Sequence, residues 1–456
     1  MNWFLSGNLA KQIEQGKGPI YALIVESIID AITDGSIPPG ERLPSQRQIA
    51  DSLGVNASTI TKAYNVLEEQ GFVSGEIGRG TYVRSLPDIG DVPWSDTCTN
   101  NMVDMSSNFP SSNISGEKLT QAIASISSDK EITELMQYHP ECSVSSHIDS
   151  AKIWLSHLGL KTLGPRNVIL TCGATHGGFI CLLAITRPND RILVESMTSP
   201  AIIGAANMLG LRLTGIQMDE HGILPEALEA TLKKQKAKLL YIVPNMQNPT
   251  LSTIPLERRQ AIIAIAKKHN LFIIEDDAYG ALIENKIPPL AELDSSIVCY
   301  TTSHSKSATP GLRAGYLVPP SSLYQRALSA LRVTTWMSSP LTNHIASEWI
   351  KDGTMQQFIK ERRNENTKRI ALARKILTGN QFTETDYGLH IWLKINEPWR
   401  ATDFTAFLKT KCVAVLPSEN FSVNKGYMPQ YTRVSLCNSL SMEDLEQGLK
   451  IIALHM

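Results

Sequence analysis

The chain has 456 residues, with 43 Lys and Arg against 44 Asp and Glu and a formal net charge of −1. Hydrophobic residues make up 42% and charged residues 19%, which excludes wholesale disorder and allows a large core. The balanced charge excludes a globally basic nucleic-acid binder, but not a local site. At about 150 residues per domain, the length predicts roughly two to four units. The opening MNWFLSGNLAKQIEQG holds no apolar run of secretory-signal length, and no stretch reaches the roughly 18 apolar residues of a membrane span. The seven cysteines (98, 142, 172, 181, 299, 412 and 437) are scattered, and none forms a CxxC pair. Neither a disulfide framework nor a metal site is indicated. A cytoplasmic protein with no membrane contact is expected.

Tyr21 to Asp34 carries apolar residues at 23, 24, 28, 29 and 32, a helical spacing ended by Gly35 and the Pro-Pro-Gly at 38–40. Ser45 stands at an N-cap position before QRQIADSLG, and Gly54 at the C-cap. A second helix is expected from about Ala57 to Gln70, with Ile60, Tyr64 and Leu67 on one face and Ser58, Thr59, Thr61 and Lys62 on the other. After Gly71, FVSGEIGRGTYV reads as a two-stranded wing with Gly78-Arg79-Gly80 at its tip. Helix, tight turn, then a helix that begins with small polar residues is the layout that puts a helix start into the major groove. The spacing alone fits a generic small helical bundle equally well. Residues 1–85 hold seven Lys and Arg against nine Asp and Glu, so there is no basic field. Placement is more telling: Arg42, Arg47, Lys62 and Arg79 stand at the helix starts and the wing tip, while Glu68 and Glu69 lie at the far end of the second helix.

The stretch GERLPSQRQIADSLGVNASTITKAYNVLEEQGFVSGEIGRGTYV resembles the winged helix-turn-helix of the GntR family over its whole length. The resemblance places DNA contacts on Arg47, Ser58, Thr59, Thr61, Lys62 and the wing at Gly78 and Arg79. Many members have Arg just after the position of Asn56, and this chain has Ala57, so one strong phosphate or guanine contact is missing.

Residues about 84 to 103 lack periodicity and read as a linker. Beyond them, strand-length apolar runs (NVIL, RILVE, KLLYIV, LFIIE, SIVCY) alternate with helical patterns, which argues for a mainly parallel α/β sheet. Four clusters stand where a strand runs into a loop or helix, the place where such sheets bind ligands. Gly173-Ala174-Thr175 opens a helix whose free N–H groups suit a phosphate, although a plain tight turn explains it as well. Asn248 precedes Pro249, which holds it extended; turn chemistry alone also accounts for it. Glu275-Asp276-Asp277 and Tyr279 follow a buried strand, and buried acids demand a partner. Lys306 sits among Ser303, Ser305 and Ser307, with Arg313 seven residues on; a lone Lys is more often a solvated charge.

Jointly the clusters describe one ligand. It has a phosphate (Gly173 to Thr175, Ser303, Ser305, Arg313), a phenolic oxygen (Asn248, Tyr279), a basic ring nitrogen (an acid at 275–277) and an aldehyde for Lys306. That ligand is pyridoxal 5′-phosphate in Schiff-base linkage to a lysine. From about residue 104 the chain looks like a fold-type I aminotransferase of class I/II, with Gly-Ala-Thr, Asn-Pro-Thr, Asp-x-x-Tyr, Ser-x-Ser-Lys and Pro-Gly-x-Arg-x-Gly-Tyr in order. The resemblance implies that Asp276 pairs the ring nitrogen, that Asn248 and Tyr279 hold the ring hydroxyl, and that Lys306 is the Schiff-base lysine. It puts Ala174, Thr175, Ser303, Ser305 and Arg313 on the phosphate, and Arg433 on a substrate carboxylate. Tyr138 matches a tyrosine that reaches the neighbouring subunit's phosphate, so a homodimer is implied. Three departures stand out. Leu251 replaces the glycine of Asn-Pro-Thr-Gly, no stacking aromatic lies near Ser199, and the stretch after Tyr138 lacks the usual Gly and Leu-Arg pair.

A winged helix linked to an aminotransferase-like domain is the architecture of the MocR subfamily of GntR regulators. The expected fold is multidomain. It comprises an N-terminal α+β winged helix (1–84), a linker (85–103), and an α/β fold-type I transferase with a small C-terminal α+β lobe (104–456). The expected function is transcription regulation, by sensing pyridoxal phosphate or an amino compound that condenses with it. The alternative is a catalytically active aminotransferase with a DNA-binding head. A repressor with a vestigial cofactor site is the third reading, which the intact residue set disfavours.

Overall fold

A computed structural model of the chain describes residues 18–33, 35–38, 40–69, 72–76, 80–83, 102–110, 116–128, 132–139, 143–163, 168–423, 429–438 and 441–456. The chain divides into two compact units between Asp91 and Val92. Gly78, Arg79 and most of the expected linker lie outside the described residues.

The first unit holds helices α1 (Ile20–Thr33), α2 (Gln46–Leu53) and α3 (Ala57–Glu69) and the antiparallel strands β1 (Val73–Glu76) and β2 (Gly80–Val83). Ser45 starts α2 with a capping box. Its Oγ accepts from the Gln48 N–H at 3.3 Å, and the Gln48 side chain accepts from the Ser45 N–H at 2.8 Å. Two donors that a helix start leaves free are thereby satisfied. Gly54 ends the helix in the left-handed region, at φ 64°. Ile24, Ile28, Ile49, Ile60, Tyr64 and Leu67 form one core with Val73 and Val83 of the hairpin. The Tyr64 hydroxyl donates to the Pro44 carbonyl at 2.7 Å and ties α3 to the turn before α2.

The second unit is built on a seven-stranded sheet. Its strands are β4 (Ile169–Thr171), β5 (Arg191–Glu195), β6 (Arg212–Ile216), β7 (Leu239–Ile242), β8 (Phe272–Asp276), β9 (Val298–Ser303) and β10 (Gly315–Val318). Their order is β4-β10-β9-β8-β7-β5-β6. The pairings are parallel except around β10, which runs against both neighbours. Alternate residues of one strand enter different cores: Leu193, Leu240 and Ile273 on one face, Ile192, Leu239 and Ile274 on the other. A sheet covered on both faces explains why these strands read as continuous apolar runs.

The reversed strand has a local requirement. Gly315 threads between Thr171 and Ser303, and a Cβ there would lie 2.6 Å from the Gly173 Cα and 2.8 Å from the Thr302 carbonyl. Only glycine lets β10 close on the turn after β4.

A smaller lobe follows. Strands β11 (Phe382–Thr383), β12 (His390–Lys394), β14 (Leu416–Pro417) and β15 (Tyr431–Ser435) form an antiparallel sheet ordered β11-β12-β15-β14. Its core holds Ile391, Leu393, Val434, Phe404 and Leu449. Strand β3 (Val103–Asp104) pairs in parallel with β13 (Val413–Ala414). The first described residues after the linker therefore belong to the C-terminal lobe, a placement the sequence does not reveal. No helix among the described residues is long and apolar enough to cross a membrane.

Ser45→Ala should cost the first unit about 1 kcal/mol, read as a lower urea midpoint of its transition. Gly315→Ala should destabilise the second unit by about 1–3 kcal/mol through overpacking, with the first unit's transition unmoved.

Candidate functional site

The C-terminal ends of β4, β7, β8 and β9 deliver Gly173, Asn248, Asp276 and Lys306, respectively, or the loops that carry them. Lys306 follows β9. Its Nζ donates to the Asn108 carbonyl at 2.5 Å and lies 5.5 Å from the centre of the Phe109 ring. Burial lowers its ammonium to about 8, so an appreciable fraction is free amine near neutral pH.

Asp276 is the last residue of β8. Of the three acids, strand alternation sends its two neighbours to the opposite face. Glu275 is buried, accepts from the Leu290 and Ala291 N–H groups at 2.9 Å each, and lies 3.9 Å from Arg259. Asp277 accepts from Asn245 at 2.7 Å and from the Tyr300 hydroxyl at 2.6 Å. Asp276 accepts from the Tyr241 hydroxyl at 2.6 Å and from the Ala278 N–H at 3.2 Å. Burial raises its carboxyl to about 6 in spite of both bonds. Among the described residues no cation lies within salt-bridge distance of it as Arg259 does of Glu275, and only Lys306 acts on it as a nearby positive charge, so a ligand's positive group placed here would relieve it.

At the start of helix α4 (Ala174–Ile185), Gly173 adopts φ 94° and no side chain caps the first N–H groups. Arg313 lies against this turn. It has φ 50°, and a Cβ on Gly173 would come within 2.9 Å of its guanidinium. The guanidinium donates to the Cys172 carbonyl at 2.9 Å and lies 3.5 Å from the Ser305 Oγ. The Ser305 N–H donates to the Ser303 Oγ at 3.4 Å. A helix start, two hydroxyls and a guanidinium thus meet at one end of the site, which is the donor set of an anion cradle.

Arg433 reaches in from β15. It donates to the Asn248 Oδ1 at 2.8 Å and to the Ser106 carbonyl, and stands 4.9 Å over the Phe421 ring. Its Nε is buried with no acceptor among the described residues. Tyr279 is buried, with its hydroxyl 3.4 Å from the Asn108 Nδ2. Tyr138 is 78% exposed and rests edge-on against Trp336 at 5.9 Å, so its ring lies at the surface.

The departures also have places. Leu251 is buried with φ 64°, the left-handed conformation that explains a preference for glycine there. Ser199 caps a helix, its Oγ accepting from the Ala201 N–H at 3.4 Å. The loop before it is tied to the smaller lobe. The Thr198 N–H donates to the Phe421 carbonyl at 2.7 Å, and Met197 packs with Trp392 and Phe421.

In the first unit, Arg47, Ser58, Thr61 and Lys62 are exposed and Thr59 is half-buried. Two of them have internal partners. The Thr61 hydroxyl donates to Gln46 at 2.7 Å, and the Lys62 ammonium lies 3.8 Å over the Tyr21 ring. Arg42 bridges to Tyr82, and its guanidinium lies against Gly80, bracing the wing.

Sequence reasoning missed Asn108, Ser106, Tyr241 and His390. Asn108 stands a few residues beyond the expected linker in a stretch with no motif, and His390 is a single histidine with no spacing signal. Tyr241 alternates within an apolar strand, where a hydroxyl carries no signal.

The aminotransferase class I and II family profile matches residues 100–452 of this chain, and the profile of bacterial regulatory proteins of the gntR family matches residues 20–83. The chain belongs to the class I and II aminotransferase family, and its gntR-family winged helix gives it the MocR architecture. Among similar proteins is an uncharacterized HTH-type transcriptional regulator, YdeF of Bacillus subtilis (strain 168). It is 28% identical over 440 residues, covering 96% of this chain and 95% of that protein. Another is the mitochondrial kynurenine/alpha-aminoadipate aminotransferase of Bos taurus, 28% identical, covering 73% of this chain and 87% of its own. The kynurenine aminotransferase of Pyrococcus horikoshii has the same fold. Its TM-score is 0.72 at 21% identity, over 78% of this chain and 91% of that one.

The family implies pyridoxal phosphate, and the residues present fit it. An anion cradle, a buried acid, an amine and a phenol–amide pair meet at the strand ends, and a side chain at Gly173 would have no room beside the Arg313 guanidinium.

Lys306 reacts with an aldehyde as the free amine. The rate at which the visible band appears on adding pyridoxal phosphate should therefore rise with pH toward about 8 and level off above it. A rate still climbing at the ordinary lysine value would contradict the burial of Lys306.

Proposed function

We propose that this chain is a transcription regulator that binds DNA through its winged helix. Its second unit senses pyridoxal phosphate or a primary amino compound that competes with Lys306 for the cofactor's aldehyde. The observation that carries the reading is the conjunction of Lys306, Asp276 and the Arg313 cradle on one chain with a gntR-family winged helix. Pyridoxal phosphate bound there supplies an aldehyde that condenses with amines and a ring that takes up electrons.

Each residue has a part in that reading. The N–H groups at Gly173, Ala174 and Thr175, with Ser303, Ser305 and Arg313, hold the phosphate. Asp276 keeps a proton on the ring nitrogen, steadied by the Tyr241 hydroxyl. Asn248 and Tyr279 orient the ring oxygen. Lys306 would supply the amine for the covalent link, and Arg433 would take the carboxylate of an amino acid, its Nε having no acceptor among the described residues. Such an effector shifts DNA binding only by its differential affinity for two states of the protein. Tyr138 lies at the surface, as a residue serving a second subunit would, and a homodimer doubles the few DNA contacts of a unit with no basic field. The linker reading of 85–103 gives the winged helix its reach.

A second reading, an active aminotransferase with a DNA-binding head, is favoured by the completeness of the same set. It is disfavoured by Ser199, which leaves one face without an aromatic. That reading requires turnover with an amino donor and a keto acid.

Wild type and Lys306→Ala should be compared for the visible cofactor band and for binding to the chain's own upstream DNA, with and without pyridoxal phosphate. The wild type should show the band and a cofactor-dependent change in DNA affinity, and the variant neither. An unchanged response in Lys306→Ala sinks the sensing reading. Arg47→Ala should weaken DNA binding by about 1–3 kcal/mol; equal affinity would remove Arg47 from the interface.

A further inference from the structure

Residues 105–108 are fastened on one side to the C-terminal lobe. The Met105 N–H donates to the Ala414 carbonyl, and the Ser435 N–H to the Met105 carbonyl, both at 2.8 Å. The Ser435 Oγ donates to the Ser107 carbonyl at 2.7 Å. On its other side the segment meets groups of the larger lobe. Lys306 donates to the Asn108 carbonyl at 2.5 Å, and the Asn108 Nδ2 lies 3.4 Å from the Tyr279 hydroxyl.

His390 sets the orientation of the Asn108 amide. The His390 Nε2 lies 2.9 Å from the Pro249 carbonyl, which only accepts, so Nε2 carries a hydrogen. Burial holds the ring neutral, down to about 3, so Nδ1 is a lone pair. Only the Nδ2 end of the Asn108 amide matches it, at 2.8 Å. The Asn108 Oδ1 is then left buried without a donor among the described residues. The side chain is fixed by this chain of partners, and with it the carbonyl that Lys306 meets.

We propose that Asn108 is a latch: its carbonyl holds the C-terminal lobe to Lys306 only while the Lys306 nitrogen is free, so the segment that follows the linker reads the covalent state of that lysine. The inference rests on the reading of Lys306 as the lysine that condenses with pyridoxal phosphate. A free ammonium has three hydrogens and gives one to Asn108. Bond formation with the cofactor's aldehyde carbon releases one water and leaves the nitrogen at most one hydrogen, whose direction is set by the planar carbon–nitrogen bond. When an incoming primary amine takes over that carbon, its own bond forms as the bond to Lys306 breaks. Two hydrogens pass from the incoming nitrogen to Lys306, and no oxidant or reductant is consumed. Lys306 then recovers its bond to Asn108. The latch is closed in the cofactor-free and amine-occupied protein and open when cofactor alone is bound. Two of the three states therefore share one lobe arrangement.

Hydrogen exchange of the peptide 102–110 in the full-length protein tests this. Without cofactor, Lys306→Met lacks only the latch donor, and its segment should exchange about tenfold faster than in wild type. Pyridoxal phosphate added to wild type should raise exchange toward that level, and L-alanine added next should lower it again. Asn108→Ala keeps the carbonyl but loses the His390 and Tyr279 bonds, and should stay fast in L-alanine. Equal exchange in cofactor-free wild type and Lys306→Met overturns the latch. If the cofactor-free difference appears but no visible band forms in wild type, the latch stands and the cofactor reading of Lys306 fails.

Discussion

Burial disfavours the charged form of both Lys306 and Asp276, and it draws one value down to about 8 and the other up to about 6. The folded value of Asp276 lies above its unfolded one. Its cost to folding therefore begins above the ordinary carboxylate value and is complete above about pH 6. The folded value of Lys306 lies below its unfolded one, so its cost is present below about pH 8 and is relieved as the pH rises further. Between those values the fold carries both. A ligand that sets a cation beside Asp276 and takes the Lys306 nitrogen into a covalent bond removes both at once. The surrounding structure serves this tension. Tyr241 and the Ala278 N–H steady the acid, and the Asn108 carbonyl gives the lysine an acceptor.

That acceptor comes from the C-terminal lobe, which makes the site a meeting of two lobes. Arg433 bonds Asn248, His390 bonds the Pro249 carbonyl, and Thr198 bonds the Phe421 carbonyl; each pair joins the smaller lobe to a loop at a strand end of the large sheet. These hydrogen bonds flank an apolar cluster of Met197, Trp392, Leu416 and Phe421, so the contact combines shared core with polar partners that can be exchanged singly. The loop through Met197 and Ser199 is part of this contact. Where an aromatic would cover a ring, the chain has a loop pinned to Phe421 instead.

The first unit works by placement. It has more acids than bases, and its exposed Thr61 and Lys62 already have partners in Gln46 and Tyr21. An exposed cation–π contact is worth about 0.5–1 kcal/mol, little enough to be exchanged for a phosphate. Arg42 lies against Gly80, which leaves Arg47 as the exposed basic candidate with no such contact among the described residues.

Much of this was legible in the amino-acid order, because much of it is local. Ser45 and Gln48 are three residues apart, Gly54 ends its own helix, and Asp276 faces away from Glu275 and Asp277 through strand alternation alone. The strand-end clusters with Lys306 announce a cofactor site by their residue types. Other features depend on pairs distant in the chain. Asn108 meets Lys306 across 198 residues and His390 across 282, and Tyr241 meets Asp276 across 35. Sequence by itself determined the elements, their caps and the chemistry at the strand ends, since these follow from neighbours one to four residues apart. Only the tertiary structure decided which strand runs backward, which acid meets the Tyr241 hydroxyl, and which carbonyl holds the lysine. Those depend on how closely separate segments approach once the core has closed, as Gly315 does against Gly173.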